Sequence, residues 1–172
     1  STIAYSDDRV NFVGLGNTIF DQGKEVLWLG GSRWVAVGIP GSSSIAISDT
    51  SGETWADASF NGGSSTTLFT ECWVVGWNGS RVIAAGKGTH RIAYSDDRGS
   101  TWTAVPNSTD FFTGEIVNCV VWCGVHWIIG GATPDRLIYS RDGITWTAVV
   151  NATHTAFSSQ CSSLAWNKNY NA

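Results

Sequence analysis

Ser95-Asp96-Asp97-Arg98-Gly99-Ser100-Thr101-Trp102 reads as a tight polar corner between two strands. Ile92-Ala93-Tyr94 before it and Thr103-Ala104-Val105 after it carry the β-branched and aromatic residues that suit a pleated, half-buried surface. Within the corner, Ser and Asp oxygens can accept backbone N–H groups, Gly99 can take the positive φ that a Cβ disfavours, and the indole can pack beneath the hairpin. Asp97 and its counterparts are therefore expected to make turns. A calcium site needs six to eight oxygens, and Asp96-Asp97 lacks the further spaced ligands.

The corner recurs. Ser48-Asp-Thr-Ser-Gly52-Glu-Thr-Trp55 keeps its frame with Thr50 where Asp97 stands, and Ser140-Arg-Asp142-Gly143-Ile-Thr145-Trp146 is one residue shorter. Residues 6 to 12 keep Ser6 and Asp8 but put Arg9 or Val10 at the glycine and Phe12 at the tryptophan. The four serines, Ser6, Ser48, Ser95 and Ser140, are 42, 47 and 45 residues apart. A second segment repeats in the same phase: Leu29-Gly-Gly-Ser-Arg-Trp-Val-Ala-Val-Gly38, Trp77-Asn-Gly-Ser-Arg-Val-Ile-Ala-Ala-Gly86, Trp122-Cys-Gly-Val-His-Trp-Ile-Ile-Gly-Gly131, and a beginning at Trp166.

Each unit thus predicts two hairpins, one turning at Gly-Ser-Arg and one at Asp-Gly. Four strands at this period describe a β-propeller blade. A single four-stranded sheet cannot bury both faces, so blades must stack around an axis. Trp55, Trp102 and Trp146 share one repeat position and Trp77, Trp122 and Trp166 another, which predicts rings wedged between blades. The fold expected is all-β, a propeller of four-stranded antiparallel blades, either about four of them or part of a larger propeller. Residues 1–172 are expected to form one such domain.

Residues 95 to 102 match the Asp-box, or bacterial neuraminidase repeat, Ser-x-Asp-x-Gly-x-Thr-Trp, and the chain resembles that propeller family along its length. The resemblance implies structural roles for Ser48, Gly52, Trp55, Ser95, Asp97, Gly99, Thr101, Trp102, Ser140, Asp142, Gly143, Thr145 and Trp146. The family includes sialidases and other glycoside hydrolases, sortilin-type receptors and photosystem assembly factors, so the box marks an architecture and leaves activity open. Sialidases need about six blades, an arginine triad and a Tyr/Glu nucleophile pair. The complete repeat also resembles, more loosely, propellers encoded by large DNA viruses and some bacteria in surface or secreted proteins.

The net charge of −4, with Lys and Arg scattered singly, offers no cationic surface for a phosphate backbone, so no nucleic-acid partner is expected. The longest apolar stretch, residues 119–132, is too short for a membrane helix. Ser1 and the absence of Met predict that processing, or excision from a longer chain, sets the N-terminus.

Other candidates weigh lightly. Arg33 and Arg81 are repeat-equivalent with His126, which predicts solvated turn charges; Tyr5, Tyr94 and Tyr139 precede the corners as core or blade-edge residues. Cys119, Cys123 and His126 have a spacing that could gather three metal ligands, yet they fall on strand, turn and strand with no fourth ligand, so no metal is expected. Cys72 and Cys161 are equivalent positions two blades apart, and four cysteines allow three pairings. Asn78, Asn107 and Asn151 head N-x-S/T sequons, candidate glycosylation sites that a Ser/Thr-rich chain also produces by chance. His90, His126 and His154 lie far apart, and no catalytic constellation or cofactor motif is found.

From the first-hairpin Trp to the corner Ser, complete units span 18 residues, whereas joining the two ends gives 12. The ends are in register to share a fourth blade about one strand short, so either a longer array or a thin closing blade is expected, with self-association through unpaired edges. The function expected is a non-enzymatic interaction or structural module, outside the cell or on a virion, binding protein or carbohydrate with no cofactor. The alternative is part of a glycoside hydrolase propeller whose catalytic residues lie outside these 172.

Overall fold

The structure is a computed structural model, and it describes residues 1–60, 63–112, 116–132, 137–149 and 160–167. Strands β1 (Ala4–Tyr5) and β2 (Val13–Gly14) form a short hairpin. Three four-stranded units follow. The first has β3 (Phe20–Trp28), β4 (Trp34–Pro40), β5 (Ile45–Ser48) and β6 (Ala56–Asp57), paired antiparallel in that order. Strands β7 (Ser59–Phe60) and β8 (Gly63–Ser64) come next.

The second unit is β9 (Glu71–Trp77), β10 (Val82–Lys87), β11 (Ile92–Ser95) and β12 (Thr101–Ala104), and the third is β13 (Val117–Trp122), β14 (Trp127–Gly131), β15 (Leu137–Ser140) and β16 (Thr147–Ala148). Among the described residues there is no α-helix, only two short 3-10 turns.

These are propeller blades. The first strands of successive units, β3, β9 and β13, lie side by side, and each later one also packs on the second strand of the unit before. Second strands are covered on both faces, so β10 is a nearly continuous run of buried residues, Val82-Ile83-Ala84-Ala85-Gly86. One apolar cluster fills the wedge between first and second blades, around Leu29, Val35, Val37, Leu68, Phe69 and Trp102. Another fills the wedge between second and third, around Ile83, Ile92, Phe112, Trp127, Ile138 and Trp146.

Two departures from the repeat reading arise. β7, in the link between blades, pairs in parallel with β12, so the second blade gains an outer edge beyond its four strands. The N-terminal copy keeps only the β1–β2 hairpin, which lies against the first blade, with Ile3 packed on the cluster of Phe20, Ala36 and Ala46. Its corner lacks the glycine and the indole, so Phe12 is left 69% exposed.

Candidate functional site

The repeated corners come first, because repetition tests whether they are sites. Ser95 Oγ accepts the Gly99 amide at 2.8 Å and donates to Asp97 Oδ1 at 2.7 Å. Asp97 in turn accepts from the Thr101 amide and hydroxyl, and Trp102 Nε1 donates to Gly99 O at 2.9 Å. Ser140, Asp142, Gly143 and Trp146 repeat this in the third blade, with Asp142 Oδ1 accepting the Ile144 and Thr145 amides at 2.8 Å each. Gly52, Gly99 and Gly143 have φ of 95°, 87° and 76°, a region that L side chains enter at a cost.

In the first blade Ser48 Oγ accepts the Gly52 amide at 2.9 Å, and Thr50 Oγ1 accepts the Thr54 amide at 2.8 Å. Thr50 therefore does the acceptor work of Asp97 without a charge. Burial alone would raise the carboxyls of Asp97 and Asp142, but the N–H and O–H donors around them prevail; Asp97 sits below its ordinary value and Asp142 falls to about 2. Carboxylates so occupied belong to the turn.

The arginines differ from expectation. Arg33 is 7% exposed. Its Nε donates to Arg98 O at 2.9 Å, its fork reaches the Ser100 hydroxyl, and Nη1 meets Asp49 Oδ2 at 2.6 Å. Arg98 answers from the second blade with bonds to the carbonyls of Leu29 and Gly30. Arg81 repeats the arrangement one blade on, pairing bidentately with Asp96, reaching the Asp142 carbonyl and covering the Tyr94 ring at 4.5 Å. These are clamps between blades, because a planar fork fits several acceptors that a turn and the next corner bring together. At the third copy His126 accepts from Arg141 at 3.1 Å, with charge moved to the other partner.

One concave feature breaks the repeat. Between the β1–β2 hairpin and the outward face of the first blade lies a cleft of about 530 Å³, walled by Tyr5, Phe12, Phe20, Trp34 and Trp55, with Arg9 and Lys24 also among its lining residues. Trp102 and Trp146 are buried at 1% and 8%, whereas Trp55, at the same repeat position, is only half-buried. A two-stranded hairpin covers less than a blade, and the indole is left as a wall. Glu25 is the single carboxylate residue among the lining residues described, and its Oε2 accepts the Val75 amide of the second blade at 2.8 Å. The Trp34 indole N–H has no acceptor, but neither has that of Trp127 at the same position, so the lack belongs to the fold.

The remaining sequence candidates are dispersed. Trp77 and Trp122 are half-buried on the blade wedges, while Trp166 is 48% exposed. Cys123 and His126 flank a turn, and no group of three His, Cys, Asp or Glu that could hold a metal occurs among the described residues. Asn78 spends its Oδ1 on the Ser80 and Arg81 amides, Asn107 is exposed with φ 56°, and Asn151 and His154 lie outside the described residues. No helix among the described residues is long and apolar enough to cross a membrane.

No protein-family model and no curated protein matches the chain. Among solved structures, it is similar to a GH74 enzyme from Niastella koreensis, 22% identical over 69% of this chain and 20% of that one, with a TM-score of 0.48. It is also similar to YCF48 bound to D1 peptide, 16% identical over 82% of this chain and 58% of that one, with a TM-score of 0.37. The chain spans less than two thirds of either.

Proposed function

We propose that this β-propeller is a non-catalytic binding module whose ligand, a carbohydrate or an extended protein segment, lies in the cleft between the N-terminal hairpin and the first blade. The observation that carries the reading is the pairing of aromatic walls, Trp55, Phe12 and Tyr5, with cationic residues Arg9 and Lys24 in a concavity that the repeat itself does not generate. Aromatic faces take the C–H surface of a sugar ring or an apolar side chain, and a few polar groups fix its orientation. The one lining carboxylate is turned to a backbone amide and Arg9 is the single arginine among the lining residues described, whereas most glycoside hydrolases set two carboxyl groups across the scissile bond and a sialidase needs an arginine triad beside its Tyr/Glu pair. The corners are read as Asp-boxes, and a place outside the cell or on a virion belongs to the same proposal, resting on the looser resemblance.

Glycan and peptide arrays, run beside a fluorogenic sialoside assay, test it. Binding lost in Trp55→Ala and Phe12→Ala, with both variants still unfolding cooperatively in urea, is the expected result. Array binding that survives both changes overturns the cleft, and sialoside turnover abolished by Glu25→Gln overturns the binding module in favour of a hydrolase.

A further inference from the structure

Three repeat positions change together at one place. In register with the first-hairpin tryptophans, the positions held by Val74, Ala85 and Val117 between second and third blades become Cys119, Gly130 and Cys161 on the far face of the third. There the two sulfurs approach to 4.0 Å. A Cβ added at Gly130 would lie 2.7 Å from each of them, so the missing methyl is the space the sulfurs occupy. The backbone on both sides is already held: the Cys161 amide donates to Gly131 O at 2.9 Å, Asn118 Nδ2 donates to Cys161 O at 2.9 Å, and Gln160 bridges to Ala132. Side-chain rotation alone has to bring the sulfurs to bonding distance, about 2.05 Å.

We propose that Cys119 and Cys161 form a disulfide that latches the segment at Gln160–Cys161 to the third blade. The oxidant is a low-molecular-weight disulfide of the glutathione type. Cys119, the more exposed of the two, attacks it as thiolate, releasing one glutathione thiol and leaving a mixed disulfide. The Cys161 thiolate then attacks the Cys119 sulfur, the Sγ–Sγ bond forms, and the second glutathione leaves as thiol. Two protein thiols give up two electrons and two protons, which convert one glutathione disulfide into two thiols. Burial, and after it the neighbouring Cys161, pushes the Cys119 thiol up to about 12, so the exchange is slow at neutral pH and accelerates as pH rises. Cys72, in the wedge between the first two blades, and Cys123, in a turn, stay reduced.

The test treats the full chain with glutathione disulfide at pH 7 and 9, quenches with acid, alkylates in denaturant and maps peptides without reductant. Two of four thiols protected, a Cys119–Cys161 cross-linked peptide, faster formation at pH 9, and a thermal midpoint raised by roughly 5–15 °C and restored by dithiothreitol are expected. Cys119→Ser and Cys161→Ser should each lose the oxidative rise. Four alkylated thiols, a persistent glutathione adduct, a cross-link through Cys72 or Cys123, or an unchanged midpoint on oxidation overturns the proposal; the wild-type mapping decides even where a variant misfolds.

Discussion

Oε2 of Glu25 accepts the Val75 amide at 2.8 Å, joining the first strand of one blade to the first strand of the next. That amide is turned away from β10, and the carboxylate covers what would otherwise be an open donor on a strand edge. Burial raises the Glu25 carboxyl above its ordinary 4.5, with the Val75 bond opposing. A raised acid holds its proton longer folded than unfolded, so this group favours the folded state at pH below 4.5 and withdraws that contribution as pH climbs through the elevated folded value. Glu25→Gln should flatten this decline, read as urea midpoints between pH 4 and 8.

Asp142 acts in the opposite sense. Its folded value of about 2 lies below the ordinary 3.8, so its contribution is present above pH 4 and is lost as pH falls through that window. Asp142→Asn should melt below wild type at pH 7 and converge with it near pH 2, measured by circular dichroism.

Thr50 carries the first corner with a hydroxyl. Thr50→Val keeps the shape but strands the Thr54 amide, an expected loss of about 0.5–1.5 kcal/mol by urea denaturation. Thr50→Asp, which restores the acceptor used by Asp97, should retain wild-type stability or exceed it.

The buried clamp predicts an asymmetry between its partners. Arg33→Ala leaves the Asp49, Ser100 and Arg98 acceptors without their donor and should cost about 3 kcal/mol. Asp49, whose side chain is 69% exposed, should cost only about 0.5–1 kcal/mol as Asn. Equality of the two losses would mean that the ion pair, and not the reach to the next blade, matters.

Equivalent tryptophans should behave differently. Trp102→Ala empties a sealed wedge and is expected to cost about 3–5 kcal/mol. Trp55→Ala, in the cleft wall, should cost well under half of that in the same denaturation experiment.

The blades were legible because each repeat states its turns twice, and in the three complete corners the glycine, Gly52, Gly99 or Gly143, stands three residues before the tryptophan. The arginine clamps were not. Arg33 and Arg81 sit in turns, where a charge ordinarily faces water, and their second partners come from corners 65 and 61 residues away. The periodicity itself held the missed signal: Asp49 and Asp96 follow the corner serines just where Arg141 faces His126. The cleft escaped for the reverse reason. It arises where the first repeat decays, and a pattern cannot announce what its own failure exposes.

Arg33 and Arg81 both reach forward along the chain, from the hairpin of one blade to the corner of its successor. Duplicating one unit in the gene would therefore insert a joint of the same plan with it. Length in such a protein can change by whole modules, each arriving with its own hairpin arginine and corner.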